Sequence, residues 1–221
     1  MNVKRRKTGE PAASAETRRP YRSKLRAEAA DATRTRIIEA ARTLFVGGAD
    51  LPAFSVDGVA RQAGVTRLTV YNQFESKLGL LEAVFDDIAE RGGLFRELPA
   101  AFAEADPEIA LRRFVAVFCR FWTRHKSLMP TFHAVIKIDE EIATSLQRRS
   151  ERRRHGLTRL VDRLVPEGGK DNADLVDVLY ALTSFETFEA LSIRNRSAKA
   201  VETLIQTLVE QVVRALRAPR A

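Results

Sequence analysis

Ala63-Gly64-Val65-Thr66-Arg67-Leu68-Thr69-Val70-Tyr71-Asn72-Gln73-Phe74-Glu75-Ser76-Lys77 is the stretch that decides the fold. Gly64 breaks a short upstream helix, Thr66 is placed to cap the free amides of a new one, and Val70 and Phe74 fall on one side of it. The other side holds Arg67, Leu68, Thr69, Tyr71, Asn72 and Gln73: a cation, a hydroxyl, a phenol and amides, but no acid. That is an unusual surface for a helix that only faces water. A short helix, a turn of about three or four residues containing glycine, and a second short helix with a polar, acid-free face make a helix-turn-helix, whose second helix enters the DNA major groove.

Upstream, Ile37, Ile38, Ala41, Leu44 and Phe45 form one stripe of a helix expected to end at Gly47-Gly48. Ser55 then caps a short helix with Asp57 at its positive end and Val56, Val59, Ala60 and Ala63 inside. Downstream, Ser76 is another capping residue, followed by Leu80-Leu81-Glu82-Ala83-Val84-Phe85. In order and in kind, these segments over about residues 34–88 resemble the tetracycline-repressor-like (TetR) family of bacterial transcription regulators. Two positions depart from the family pattern. Leu68 stands where the family often has glycine, which alters how closely the helix meets the bases, and Leu78-Gly79 replaces a frequent glutamate-containing pair.

The resemblance implies that Thr66 caps its helix and also donates to a phosphate, and that Lys77 grips another. Arg67, in the first turn of the reading helix, is placed for a guanine contact. Thr69, Tyr71 and Asn72 are better placed for phosphates or base edges than for the core. With Ser55 and Leu68, these residues make up the expected DNA-binding set.

The rest of the chain reads as long helices. Asp106-Pro107-Glu108 supplies a cap, a first-position proline and a first-turn acid, and Leu111, Phe114, Val115, Phe118, Phe121 and Trp122 follow as an aromatic stripe ending near His125. Asp139-Glu140-Glu141 opens a helix reaching toward Val165, in which Gln147 to Gly156 holds five arginines and reads as a solvated face. Leu175 through Leu191 mark one further helix. Val201 through Leu216 mark the last, capped by Ser197, and Val178, Val209 and Val213 broaden these two stripes enough to suggest burial against a second copy. The resemblance implies the same, a four-helix bundle built from the last two long helices of each of two subunits.

The aromatic stripe has two readings, a filled core or a small-molecule site. An apolar cavity with a few polar anchors is the usual form of such a site, and the resemblance places an effector pocket in these helices. Phe114, Phe118, Trp122, His133, Phe185 and Glu186 are the residues expected to bind it, with a small apolar or aromatic ligand as occupant.

Composition narrows the alternatives. The chain has 221 residues, 45% hydrophobic and 30% charged, and no apolar stretch of the length a bilayer requires. A single cysteine, Cys119, allows no internal disulfide and fits a reducing compartment, so a cytoplasmic location is expected. His125, His133 and His155 lack the spacing of a helical zinc site, and Gly168-Gly169-Lys170 lacks the flanks of a phosphate-binding loop. No enzyme, metal or cofactor is expected. Of the net charge of +8, residues 1–26 carry +7, with nine Lys or Arg against Glu10 and Glu16. Such an arm serves solubility or lies along a polyphosphate.

The sequence therefore predicts an all-α protein. Residues 1–30 form a disordered basic arm, 31–77 a three-helix helix-turn-helix domain, 78–92 a connecting helix, and 93–221 a helical ligand-sensing and dimerisation domain. Its expected partners are a double-stranded DNA operator, a second copy of itself and a small-molecule effector, and the family resemblance implies a repressor. The competing class is an architectural nucleic-acid binder without sequence preference or effector.

Overall fold

The computed structural model describes residues 18–46, 55–136, 140–166 and 170–217. Every regular element among them is a helix: α1 (Arg18–Val46), α2 (Val56–Ala63), α3 (Arg67–Phe74), α4 (Lys77–Arg91), α5 (Leu94–Ala103), α6 (Pro107–His125), α7 (Met129–Ile136), α8 (Glu140–Leu164), α9 (Lys170–Leu182), α10 (Phe185–Leu191) and α11 (Ala198–Arg217). The capping residues expected from the sequence hold their helices. Ser55 accepts from the Gly58 amide at 3.0 Å, Ser76 from Gly79 at 3.0 Å, and Asp106 from Glu108 and Ile109 at 2.8 and 3.1 Å. Ser197 accepts from Ala200 at 3.2 Å.

Two apolar clusters organise the molecule. The first joins α1 to α4 through Ile37, Phe45, Val59, Val70, Leu80, Leu81 and Val84, and it also takes in Leu128, Met129, Phe132 and Ile142. Phe132 stacks on Phe45 with centroids 4.9 Å apart and lies 4.6 Å from Phe85. The division expected between residues 77 and 93 is thus blurred. The buried face of α4 belongs to the first cluster, and α7 packs onto that cluster from the far half of the chain. The second cluster unites α6, α8, α9, α10 and α11 around Phe114, Val115, Leu157, Leu160, Leu179, Phe188 and Ile205.

Several expectations are corrected. The arm expected to be disordered to residue 30 is helical from Arg18; residues 1–17 lie outside the described residues. Pro20 falls in the first turn, where proline is tolerated, and the residues after it are mostly alanine, arginine, lysine and glutamate, all strong helix formers. The expected end at Gly47-Gly48 also lies outside the described residues. The single helix expected from Leu175 to Leu191 is two, because Thr183 and Ser184 interrupt it. Ser184 caps α10 by accepting from Thr187 at 3.2 Å, and the Thr183 hydroxyl donates back to the Leu179 carbonyl at 2.8 Å. Hydroxyl side chains offer the backbone such alternatives to a continuous helix. α5 and α7, short and without a long apolar stripe, have no counterpart in the sequence reading.

The arginine run of α8 is not simply solvated. Arg149 pairs with Asp86 and donates to the Glu82 carbonyl at 3.2 Å, fastening α8 to α4. Arg154 pairs with Asp177 of α9. Arg153 donates to the Thr183 carbonyl at 2.6 Å and lies 4.2 Å from the Tyr180 ring centroid. Guanidinium groups can take these places because they accept ring faces and carbonyls as partners. Val209 and Val213 were expected to widen an outward face, yet both are buried in their own subunit's core; Val178 and Leu208 are the exposed ones.

Candidate nucleic-acid interface

The turn between α2 and α3 is built for one conformation. Gly64 sits at φ +65°, and its amide bonds the Arg61 carbonyl at 3.2 Å while Val65 bonds Ala60 at 3.0 Å, which closes α2. A Cβ on Gly64 would meet nothing within 4 Å, so the glycine is there for its left-handed backbone and not for space. Two residues on, Thr66 accepts from the Thr69 amide at 3.1 Å, and its hydroxyl lies 2.8 Å from that of Thr69. Val70 and Phe74 anchor α3 in the first cluster.

The face turned away from that cluster carries most of the residues singled out in the sequence, whereas Tyr71, expected there too, packs partly against the cluster. Thr66, Arg67, Leu68 and Asn72 are exposed, and Thr69 and Tyr71 are half-buried. Leu68 is 69% exposed, the most open of the large apolar side chains described. Ser55 at the head of α2 is half-buried, and Lys77 at the head of α4 is exposed. Arg67 does not stand alone. Its guanidinium lies 3.2 Å from the Asp57 carboxylate and 3.2 Å from the Tyr71 hydroxyl, with the Tyr71 ring centroid 5.4 Å away. The Tyr71 hydroxyl first, and Asp57 second, hold this cation more firmly charged than usual. α3 itself is acid-free, but α2 lends it an acid. Asp57, legible in the sequence only as a helix-end residue, orients the arginine.

Two further contacts were missed by sequence reasoning. Arg34 of α1 donates to the Gln73 carbonyl at 2.8 Å and stands 4.3 Å over the Phe74 ring, locking the end of α3 to α1. Gly79, noted in the sequence as a departure, has a structural cause. A Cβ there would come within 2.2 Å of the Phe74 carbonyl oxygen, so α4 closes on the end of α3 only because the residue is glycine. Glu75 between them takes φ +65° and bonds Tyr71 at 2.8 Å, a left-handed turn imposed on a residue with a Cβ.

The residues expected to bind a ligand are arranged differently from the expectation. Phe114, Phe118 and Trp122 form a ladder along α6 with centroids 4.9 and 6.1 Å apart, and Phe185 meets Trp122 edge-on at 5.7 Å. Phe114 and Phe118 belong to the second cluster and Phe185 to the first, with Trp122 against both. The rings fill the space between them. Glu186 is exposed, and the side chain of His133 lies outside the described residues. A recess of about 520 Å³ lies instead among α6, α8 and α11, with Leu111, Leu164, Val209 and Val213 as its apolar lining and Glu108, Arg112, Glu210 and Arg214 as its charged one; none of the expected ligand residues lines it. Cys119 is buried, and that burial pushes its thiol up to about 12, which disfavours the thiolate a nucleophile needs. No helix among the described residues is long and apolar enough to cross a membrane.

Comparison with known proteins bears on this geometry directly. Residues 37–84, from the first apolar stripe of α1 to the buried face of α4, match the model of bacterial regulatory proteins of the tetR family. An uncharacterised HTH-type transcriptional regulator of Pseudomonas putida, TtgW, is 49% identical over 61 residues, which cover 28% of this chain and 44% of that protein. The match therefore spans less than half the length of this relative. The fold continues beyond it. A transcriptional regulator of the TetR/AcrR family from Thermobifida fusca aligns with TM-score 0.60 at 22% identity, covering 85% of this chain and 98% of its own. The TetR family transcriptional regulator PfmR from Thermus thermophilus aligns with TM-score 0.57 at 22% identity over 81% and 97%. Residues 37–84 thus match the tetR family of bacterial regulatory proteins in sequence, and the helical body that follows shares the fold of these solved regulators.

Proposed function

We propose that this protein is a sequence-specific DNA-binding transcriptional regulator, a homodimeric repressor that leaves its operator when a small molecule occupies its C-terminal bundle. The observation that carries the reading is the outer face of α3. It is acid-free and exposed, and Thr66, Arg34 and Gly79 hold it rigid at both ends. In this reading Arg67 takes a base edge, with Asp57 and Tyr71 orienting it, while Leu68, Thr69 and Asn72 face neighbouring bases. Thr66, Tyr71, Lys77 and the α2 end at Ser55 position the helix on phosphates.

The dimer reading is supported by the outer faces of α9 and α11, where Val178 and Leu208 remain exposed in one copy. Two copies related by a two-fold axis present two reading helices, and about 34–36 Å between them suits successive major grooves. A ligand that changes this separation weakens operator binding without touching a base. The protein works in the cytoplasm, as a regulator and not an enzyme.

Selection from a random pool of duplexes with the purified full chain tests the reading. The expected product is an inverted repeat whose half-sites lie one helical turn, or a multiple of it, apart. A pool that stays random, with all affinity vanishing together as salt rises, would identify an architectural binder instead.

A further inference from the structure

We propose that residues 18–33, the free half of α1, form a grip on duplex DNA outside the operator, lying against the phosphate backbone that flanks the bases read by α3. The inference rests on the DNA-binding function proposed above and adds to it a second, sequence-independent surface.

The course of α1 carries the argument. Near its C-terminal end, Phe45 stacks on Phe132 of α7, and its carbonyl accepts from the Thr131 hydroxyl at 3.0 Å. Eleven residues earlier, Arg34 holds the Gln73 carbonyl at the end of α3. The helix thus runs from the C-terminal half of the molecule to the reading helix, and then continues past it. The sixteen residues from Arg18 to Thr33 extend it by about 24 Å, the length of roughly seven base pairs. Side chains described from Lys24 to Ala29 are exposed, and the polar contacts described there stay within the helix: Lys24 with Glu28 at 3.9 Å and Thr33 with the Ala29 carbonyl at 2.8 Å. α1 projects as a rod from the end of the molecule that would meet DNA.

Charge along the rod is graded. Its far end, residues 18–26, holds five cations (Arg18, Arg19, Arg22, Lys24 and Arg26) and no acid, whereas Glu28 and Asp31 lie nearer the body. The positive end of the helix dipole points the same way. The occupant follows from what the rod lacks. Tyr21 and Leu25 are its only large apolar or aromatic residues, too few for the stripe that a partner helix or a bilayer surface would bury. A cationic rod without an apolar face, starting where the reading helix ends, suits a polyanion that continues in line with the operator.

The test compares two duplexes, one trimmed to the inverted repeat recovered by selection and one extended by ten base pairs of arbitrary sequence on each side. The proteins are wild type and the full chain with Arg18→Gln, Arg19→Gln, Arg22→Gln, Lys24→Gln and Arg26→Gln, which keep helix propensity and remove five charges. Wild type should bind the long duplex at least tenfold more tightly near 50 mM salt, with a steeper salt dependence, each phosphate contact adding about 0.9 to the slope. The variant should bind both duplexes alike, match wild type on the short one, and keep the same operator preference. Equal affinity of wild type for the two duplexes overturns the proposal, as does an equal loss by the variant on both. So does stronger competition by anionic phospholipid vesicles or an RNA hairpin than by duplex of equal phosphate count. If no operator emerges from selection, the same four measurements on random short and long duplexes still read the slope, so a failed regulator reading is distinguishable from a failed grip.

Discussion

Arg34 reaches from α1 to the carbonyl of Gln73, 2.8 Å away, and in doing so lays its guanidinium over the ring of Phe74. One side chain therefore satisfies an open carbonyl at the end of the reading helix and covers the aromatic anchor of that helix. A charged hydrogen bond and a ring contact of this kind are together worth about 2 kcal/mol. Arg34→Ala should lower the stability of the full chain by about that amount and weaken operator binding more than tenfold. Arg34→Lys should recover little of either, because an ammonium cannot reproduce the planar contact. Thermal melts and operator titrations of the two variants decide it; full recovery by lysine would reduce the role of Arg34 to charge alone.

Gly64 and Gly79 flank α3 but are glycines for different reasons, and alanine separates them. At Gly64 the substitution meets no neighbour and costs only the left-handed backbone, about 1–2 kcal/mol. At Gly79 the new methyl lies 2.2 Å from the Phe74 carbonyl oxygen, which cannot move without shifting the end of α3. Gly79→Ala should therefore be the more damaging, losing operator affinity even at temperatures where the chain remains folded. Equal melting temperatures and equal affinities for the two variants would contradict this account.

Arg67 and Asp57 should act together. Arg67→Ala is expected to cost on the order of tenfold to hundredfold in operator affinity while changing binding to random DNA far less. Asp57→Asn leaves the cation in place but removes one of its two orienting partners, so its loss should be smaller and should nearly vanish in the Arg67→Ala background. Equal losses on operator and random DNA would assign Arg67 to a phosphate.

His125 sets an acid limit on stability. It is buried at the end of α6 beside Phe121, close enough that a Cβ on Gly92 would lie 2.9 Å from its Nε2. Burial first, then repulsion from Arg42 and Arg124 against a smaller pull from Asp87, pushes it down from 6.5 to about 4. The unfolded chain takes up this proton near pH 6.5, and the folded chain refuses it until about pH 4. Stability contributed by neutral His125 is whole above about 6.5 and is lost progressively as pH falls from there to about 4. Glu97, held low chiefly by its bond from Arg120, begins to matter only below about 4.5, so the interval above that belongs to the histidine. His125→Phe should flatten the fall in melting temperature between pH 6.5 and 4.5. An unchanged pH profile would place the titrating group elsewhere.

What the sequence disclosed and what it withheld divide along the range of the interactions. Caps at Ser55, Thr66, Ser76, Asp106 and Ser197 depend on neighbours two or three residues away, and the buried stripes of α1 to α4 on a regular period; both were legible. The partners of Arg34, Asp57 and Arg149 were not, because each lies on another helix, brought near only by the fold. Gly79 appeared as an odd residue in a familiar motif, and only the approach of the Phe74 carbonyl gave it a reason. The break at Thr183 and Ser184 was hidden by an apolar period that runs on through it. The aromatic ladder was visible, but whether its rings enclose space or fill it depends on side-chain positions that periodicity does not report.

That ladder is where the effector can be tested. Trp122 donates its indole hydrogen to the Thr183 carbonyl at 3.0 Å, the same oxygen that Arg153 bonds, and it touches Phe118, Phe121 and Phe185. Because the rings pack on one another, a ligand at the ladder has to part them, and the Thr183 carbonyl, which accepts from both Trp122 and Arg153 at the α9–α10 break, lies beside that opening. Trp122 is the only tryptophan of the chain, so its emission reports that event without a label. Titration with a panel of apolar and aromatic compounds should reveal some that change the emission and release operator DNA over the same concentration range. Phe118→Ala should shift the potency of those compounds as well as lower stability by about 3–5 kcal/mol. Compounds that release DNA while leaving Trp122 emission unaltered, with potencies unchanged by Phe118→Ala, would move the effector site away from the ladder, and the recess lined by Leu111, Leu164 and Val213 would be the next place to probe.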